Sequence, residues 1–447
     1  MRSLFLLLLI PSLLSAAAPV VSNVRAAQRA GTKLIDVTYD LSDSDSTSVF
    51  VSIQIYNGGT ALPAFSLSGD VGSGVTPGFN KKITWNAGQD WNRQYTTSGS
   101  ARIIADDLTT AAPNATLAYV PAGFTVGSKG VYSSGTSVFT SGFYMDKTEI
   151  SKNTWDTVKT WAVANGYTFD NPGVGTAANH PVLGVNWYDV AKWCNARSEM
   201  EGLAPIYFTD ATRATVYRTG QVILRNTYCN FTANGYRLPT RAEWSKAAWG
   251  GSTSGPYPWP SYYGSGAEIL DASKGNYTNG QFMHQWDTSA VSALTANYLT
   301  TPCGYYNGTQ QVNGVPAATP VRDMANGFGL YDMFGNVGEW LWDSYYSGVT
   351  ATTEYKDDNY KGSDLGLGDS RYYAGGFRPM VSSGAAWDSQ DQASPTTSFS
   401  LKAYYVIYAG GQVATYYQTS TGWPSNASSG FSPSILGNVG FRTVRGL

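Results

Sequence analysis

The side chains best placed for chemistry sit in residues 326–343, N-G-F-G-L-Y-D-M-F-G-N-V-G-E-W-L-W-D. Asn326, Asp332, Asn336 and Glu339 are spaced among Gly327, Gly329, Gly335 and Gly338 and among Leu330, Tyr331, Met333, Phe334, Trp340 and Trp342. Glycine at this density suits neither an amphipathic helix nor an alternating strand, so the pattern predicts a tightly turned segment with buried aromatics. Carboxyl and amide groups buried there must be hydrogen-bonded or must hold an ion.

Other reactive types are sparse. The cysteines number 3 (Cys194, Cys229, Cys303), with no C-x-x-C, so a zinc knuckle or a thioredoxin-type site is not indicated. One disulfide, Cys194 to Cys229, with Cys303 left as a thiol is the simplest arrangement. His180 and His284 are the only imidazoles; His180 precedes a proline at a helix approach and reads as a packing or capping group. Neither a Ser-His-Asp order nor a G-x-S-x-G elbow is present. Asp357 and Asp358 fall in a polar run and read as a solvated loop rather than a glycosidase pair. Asp40, Asp43 and Asp45 could meet calcium but suit a solvated turn as well.

The elements that must position these groups fall into two parts, the natural number for 447 residues. Charged residues are 13%, aromatics 14% and glycines 49, which describes a loop-rich fold with an aromatic core rather than a disordered chain. A net charge of −2 offers no basic field for nucleic acid or anionic lipid. Residues 1–18 combine Arg2, an apolar run from Leu4 to Leu14 and small residues at Ser15 to Ala18, the pattern of a signal peptide. That run is too short to span a bilayer and nothing downstream resembles a transmembrane segment. The expectation is a secreted, periplasmic or cell-surface protein. Over residues 19–107, short alternating strands (Leu34 to Tyr39, Val49 to Tyr56, Ile83 to Trp85, Arg102 to Ala105) are separated by turn signals. They predict an antiparallel sandwich of immunoglobulin or fibronectin-type-III kind, serving as a spacer or adhesive module. Residues 108–116 read as a linker.

Residues 117–447 open a different pattern. A strand at Phe143 to Glu149 runs into a helix capped by Ser151, with Trp155, Val158, Trp161 and Ala162 on one face and Gly166 past its end. A second helix starts at Asn186 and buries Val190, Trp193 and Cys194. A third starts at Thr240, whose capping box with Glu243 is complete, and stops at Gly250-Gly251. Beyond it come nearly 200 residues of glycine, aromatic and polar loops with a few short strands.

The strings F-Y-M-D-K-T-E (143–149), H-P-V (180–182), V-N-W-Y-D (185–189), Y-R-L-P-T with Glu243-Trp244, the stretch 326–343 and G-N-V-G-F-R (437–442) occur in an order that resembles the sulfatase-modifying factor family, typified by the formylglycine-generating enzyme. The resemblance covers residues 117–444 and implies a C-type-lectin-like α+β fold with little regular structure. It implies calcium at Asn336 and Glu339, with Asn276 and Asp287 as a second, looser pair; oxygen ligands of this kind suit Ca²⁺. The family's enzyme uses copper(I) held by two cysteines to turn a sulfatase cysteine into formylglycine. The counterpart segment here, Arg371 to Phe377, is followed by no cysteine, and copper(I) needs soft thiolate ligands. The expectation is therefore a calcium-stabilised binding or surface-organising protein without copper, the alternative being a formylglycine-generating or other family oxidase. Tyrosines number 31, many of them late in the chain, a composition used by adaptable recognition surfaces. Tyr404, Tyr405, Tyr408, Tyr416, Tyr417 and Trp423 are the candidate surface for an extracellular protein or glycan.

Overall fold

A computed structural model of the chain describes residues 17–124, 139–222, 224–251, 275, 300–310, 321–333, 336–344, 379–382, 405–406 and 439–447. Its N-terminal strands are β1 (Val20–Gln28), β2 (Leu34–Ser42), β3 (Val49–Asn57), β4 (Thr60–Ala61), β5 (Leu67–Gly69), β6 (Gly72–Val75) and β7 (Gly78–Asn86). A single helical turn, α1 (Ala87–Asp90), and strand β8 (Gly99–Asp106) complete this part. One sheet has the order β1-β2-β7-β5; in the other β3 pairs with β4, β6 and β8, and every pairing is antiparallel. Val37, Tyr39, Val51, Ile53, Ile83 and Trp85 fill the space between them.

The strict alternation of β3 predicts one buried face, yet residues 49–55 are all buried. The second face is covered by the rest of the chain. Ser52 Oγ accepts from Phe124 N at 2.9 Å, and the Phe50 and Phe328 rings meet edge-on at 5.7 Å. Asp106, ending β8, accepts from Tyr119 Oη at 2.7 Å and Ala122 N at 2.9 Å. One apolar cluster runs from Val49 and Phe50 through Phe143 and Met145 to Trp244, Phe328, Leu341 and Val444. The N-terminal sheets are thus fused to the second part, and residues 108–116 do not separate independent modules.

In the second part, β9 (Leu117–Val120), β10 (Phe143–Asp146), β11 (Tyr236–Arg237) and β16 (Val444–Gly446) form one sheet in the order β11-β16-β10-β9. Another runs β14-β13-β12-β15, from Tyr405–Val406, Pro379–Ser382, Gly338–Ser344 and Val439–Gly440 respectively. The chain's last residues therefore close both sheets. Helix α2 (Lys152–Ala164) starts where Ser151 Oγ accepts from Thr154 N at 3.2 Å, and buries Trp155, Val158 and Ala162. Helix α3 (Trp187–Met200) is capped by Asn186. Its predicted stripe of Val190, Trp193 and Cys194 is buried, but so is every residue from Trp187 to Ser198. A helix enclosed on all sides must compensate its polar groups: Asp189 accepts from the backbone of Asp170 and Asn171, each at 2.9 Å, and pairs with Lys192 at 3.1 Å. Trp155 and Trp193 stack at 5.9 Å, with Phe441 edge-on to Trp193 at 5.2 Å.

Helix α4 (Arg241–Trp249) has the capping box read from T-R-A-E: Glu243 N donates to Thr240 Oγ1 at 3.2 Å and Thr240 N to Glu243 Oε2 at 2.9 Å. The same Glu243 takes both arms of Arg237 at 2.7 Å, so the cap also ties β11 to α4. Replacing Thr240 by alanine should lower the denaturant midpoint by an equivalent of about 1 kcal/mol, the usual cost of a lost cap. Lys246, one turn on, is fully enclosed and donates to the carbonyls of Pro121 and Gly123 and to Thr140 Oγ1. Burial lowers its pKa to about 7. The unfolded chain then holds this proton more tightly than the folded one, so Lys246 makes stability rise as pH climbs from about 7 to about 10. Urea midpoints across that range should lose this rise in Lys246→Met; an unchanged slope would show that the lysine stays charged.

Candidate functional site

Residues 326–330 owe their turns to a close approach of backbones, whereas Gly338 to Asp343, expected as part of the same turned segment, form strand β12. Asn326 Oδ1 accepts from Phe328 N at 3.0 Å and Leu330 N at 3.2 Å, while Asn326 Nδ2 donates to Ala247 O at 2.7 Å. The segment thereby caps the end of α4. A Cβ on Gly327 would lie 2.2 Å from Gly250 O, and Gly250 itself has φ +58°, so both positions require glycine. Trp340 and Trp342 are buried as expected, with Trp340 Nε1 donating to Val185 O at 3.0 Å and Trp342 Nε1 to Asn226 Oδ1 at 2.8 Å.

The strand β12 carries Glu339 into the centre of the molecule, and β15 runs parallel to it with Glu339 opposite Gly440. Two residues beyond Gly440, Arg442 folds back onto the carboxylate. Arg442 Nε lies 2.9 Å from both Glu339 oxygens and Nη2 lies 2.7 Å from Oε1. Trp244 Nε1 donates to Glu339 Oε2 at 2.6 Å. Arg442 also reaches Tyr331 O at 3.1 Å, and its side chain is wholly buried. Flanking carboxylates hold this guanidinium charged against burial, which alone would favour the neutral form. Asn336 Oδ1 accepts from Thr301 N at 2.9 Å and Thr301 Oγ1 at 3.3 Å.

The family resemblance assigns Asn336 and Glu339 to calcium. The contacts leave neither Glu339 oxygen open, and a guanidinium already supplies the positive charge. This pair does not fit as calcium ligands. Asn276, Asp287, Tyr404, Tyr416, Tyr417 and Trp423 lie outside the described residues, as does His284; of Tyr405 only the backbone, in β14, is described.

Two further acids complete the cluster: Asp332, from the same turned segment, and Glu149, which no local pattern marks as functional. Glu149 is 2% exposed and, among the described residues, no nitrogen donor reaches its carboxyl oxygens; its neighbour is the Asp332 carboxyl. Burial first, and the charge of Asp332 second, push its pKa well above the ordinary carboxyl range. Asp332, at φ +54°, accepts from Gly304 N at 2.5 Å and is also raised by burial. Both acids belong to strings that carry the family resemblance, but a lone acid in a string names no partner. Cys303 lies against this pair, and burial holds its thiol far above its usual value. A second buried ion pair, Arg197 to Asp146 at 2.9 Å, lies beside it, with Asp146 also accepting from Thr443 N at 2.9 Å. The C-terminal residues are therefore clamped through Arg442 and Thr443. His180 is a packing group, as its place before a proline suggests: Nδ1 meets Thr300 Oγ1 at 2.9 Å and the ring is 1% exposed.

The expected Cys194–Cys229 disulfide is not formed. Both stand as thiols; Cys229 Sγ donates to Arg225 O at 3.2 Å, and Cys194 lies in α3, where burial raises its pKa. A buried thiol whose pKa is raised, as that of Cys194 is, is a poor nucleophile. The cluster compensates charge and closes the fold; among the described residues it presents no activated nucleophile.

A family model described as sulfatase-modifying factor enzyme 1-like domain matches residues 106–447. Over 219 residues the chain is 32% identical to "Chaperone protein LppX" of Paenibacillus barcinonensis, covering 48% of this chain and 67% of that protein. It is 36% identical over 112 residues to the formylglycine-generating enzyme of Mycobacterium tuberculosis, covering 25% of this chain and 28% of that one. The formylglycine-generating enzyme of Thermomonospora curvata is 32% identical over 124 residues, 26% of this chain and 30% of the enzyme. The matched segments thus span less than a third of either enzyme. With the family model covering all of the chain from the end of β8 onward, the protein belongs to the sulfatase-modifying factor enzyme 1-like domain family.

Proposed function

We propose that this chain is an exported, non-catalytic member of the family that works by binding a polypeptide outside the cytoplasm. One observation carries the reading: no cysteine follows Cys303, so the thiolate pair that copper(I) chemistry demands is missing. Cys194 and Cys229, both buried as thiols, cannot substitute. The relative named as a chaperone favours a binding role, and the signal-peptide pattern of residues 1–18 favours export. Among the described residues no helix is long and apolar enough to cross a membrane. Strand order β1-β2-β7-β5 supports an immunoglobulin-type reading of the first sheet. The aromatic segment containing Tyr404, Tyr405, Tyr416, Tyr417 and Trp423 is our candidate for the contact surface. Calcium enters the proposal only through Asn276 and Asp287.

Incubating the full chain with copper(I) and a C-x-P-x-R peptide tests the chemistry. An unaltered peptide mass is expected; replacement of the thiol by an aldehyde would overturn the proposal in favour of the family's oxidase. Thermal unfolding with and without a chelator tests calcium, since an ion bound only by the native state must raise its stability.

A further inference from the structure

Away from the buried cluster, the N-terminal sheets open at one end into a cavity of about 460 Å³. Antiparallel pairing brings the end of β1, the start of β2 and the ends of β3 and β7 to that mouth, together with the start of β8. Its floor is aromatic and held in place. Trp85 is 2% exposed and its Nε1 donates to Asp90 Oδ2 at 3.0 Å; Asp90 is fixed in turn by Phe65 N at 2.8 Å and Ser66 N at 2.6 Å. Trp91, half-buried, stacks on Trp85 with ring centres 6.5 Å apart. Tyr95 joins the lining and is 82% exposed, so its ring face is open to a ligand. The volume falls in the range of small-molecule sites.

The rim is polar and has one sign of charge. Asn92, Arg93, Gln94 and Lys33 line it, and among the described residues no aspartate or glutamate does. Lys33 Nζ donates to Asn92 Oδ1 at 2.8 Å, which orients that amide, while Arg93 is exposed at the mouth. Stacked ring faces suit the C–H face of a pyranose, amides suit its hydroxyls, and a guanidinium suits a carboxylate through paired hydrogen bonds. We propose that this cavity is a saccharide-binding site, with Trp91 and Tyr95 as the stacking surface and Arg93 selecting uronic-acid units. It stands independently of the polypeptide-binding reading above.

Titrating the full chain with tetragalacturonate and with cellotetraose, followed by calorimetry and tryptophan fluorescence, tests it. Tetragalacturonate should bind about tenfold more tightly than the neutral sugar, the worth of one charge-assisted hydrogen bond. Arg93→Gln should abolish that preference, and Tyr95→Ala, an exposed position that leaves the fold intact, should weaken both sugars. Trp91→Ala should remove binding while the thermal transition persists. Equal affinities would overturn the uronate assignment, and no response to either sugar at millimolar concentration would overturn the site. So would undiminished binding in Tyr95→Ala, or preferential binding of an apolar peptide included as a third arm.

Discussion

Arg442→Met should cost about 3–5 kcal/mol in urea-unfolding free energy at neutral pH, the penalty for leaving a buried carboxylate without its partner. Arg442 is wholly buried, is bound to both Glu339 oxygens and donates to Tyr331 O, contacts that an apolar methionine cannot make. The loss should be mostly recovered by adding Glu339→Gln, because a buried ion pair contributes little net stability beyond mutual neutralisation. Trp244 Nε1, which donates to Glu339 Oε2, would keep an amide oxygen as its acceptor. If the double variant were as unstable as Arg442→Met, the side chain's packing and its bond to Tyr331 would be what matters, rather than the charge.

Glu149→Gln should stabilise the protein, and increasingly so with pH. The groups facing Glu149 are Asp332, Glu339, Arg442 and the thiol of Cys303. Three carboxyls against one guanidinium cannot all ionise in an enclosed space. With the folded pKa raised, the benefit of keeping Glu149 neutral is fully present below the unfolded value of about 4.5 and is lost as pH rises through the folded pKa. The difference between Glu149→Gln and the parent should therefore be near zero below the unfolded carboxyl pKa and widen as pH rises above it toward the folded one. Parallel curves for the two proteins would show that Glu149 finds compensation in the folded state.

The central residues and their assignment were legible to different degrees. The first part of stretch 326–343 was readable as a buried turn, because Gly327 packs on Gly250 where two backbones nearly touch; its last part, Gly338 to Asp343, is instead strand β12, which the glycine pattern hid. The partner of Glu339 was not readable. Arg442 lies 103 positions away and no local pattern distinguishes a guanidinium from a calcium ion as the compensating charge. Glu149 was hidden for the same reason: an acid after a strand reads as exposed until the fold encloses it.

Local signals alone determined where helices begin. Ser151, Asn186 and the Thr240–Glu243 box each satisfy backbone donors within three or four residues, so their effect needs no tertiary context. They also determined the β character of the first part and, through the order of short motifs, the family. Tertiary structure decided what those elements face. Strand β3 alternates as if one side met water, yet both sides are buried because Phe328 and Phe124 arrive from the second part. Helix α3 carries Asp189, Lys192 and Arg197 as a surface helix would, yet is enclosed: Asp189 takes the backbone N–H groups of Asp170 and Asn171 and pairs with Lys192, and Arg197 pairs with Asp146. Cys194 and Cys229 could have been paired by sequence distance, but in the fold both stand as buried thiols. Short-range hydrogen bonds are written in adjacent residues; burial and charge compensation depend on which distant segments close over them.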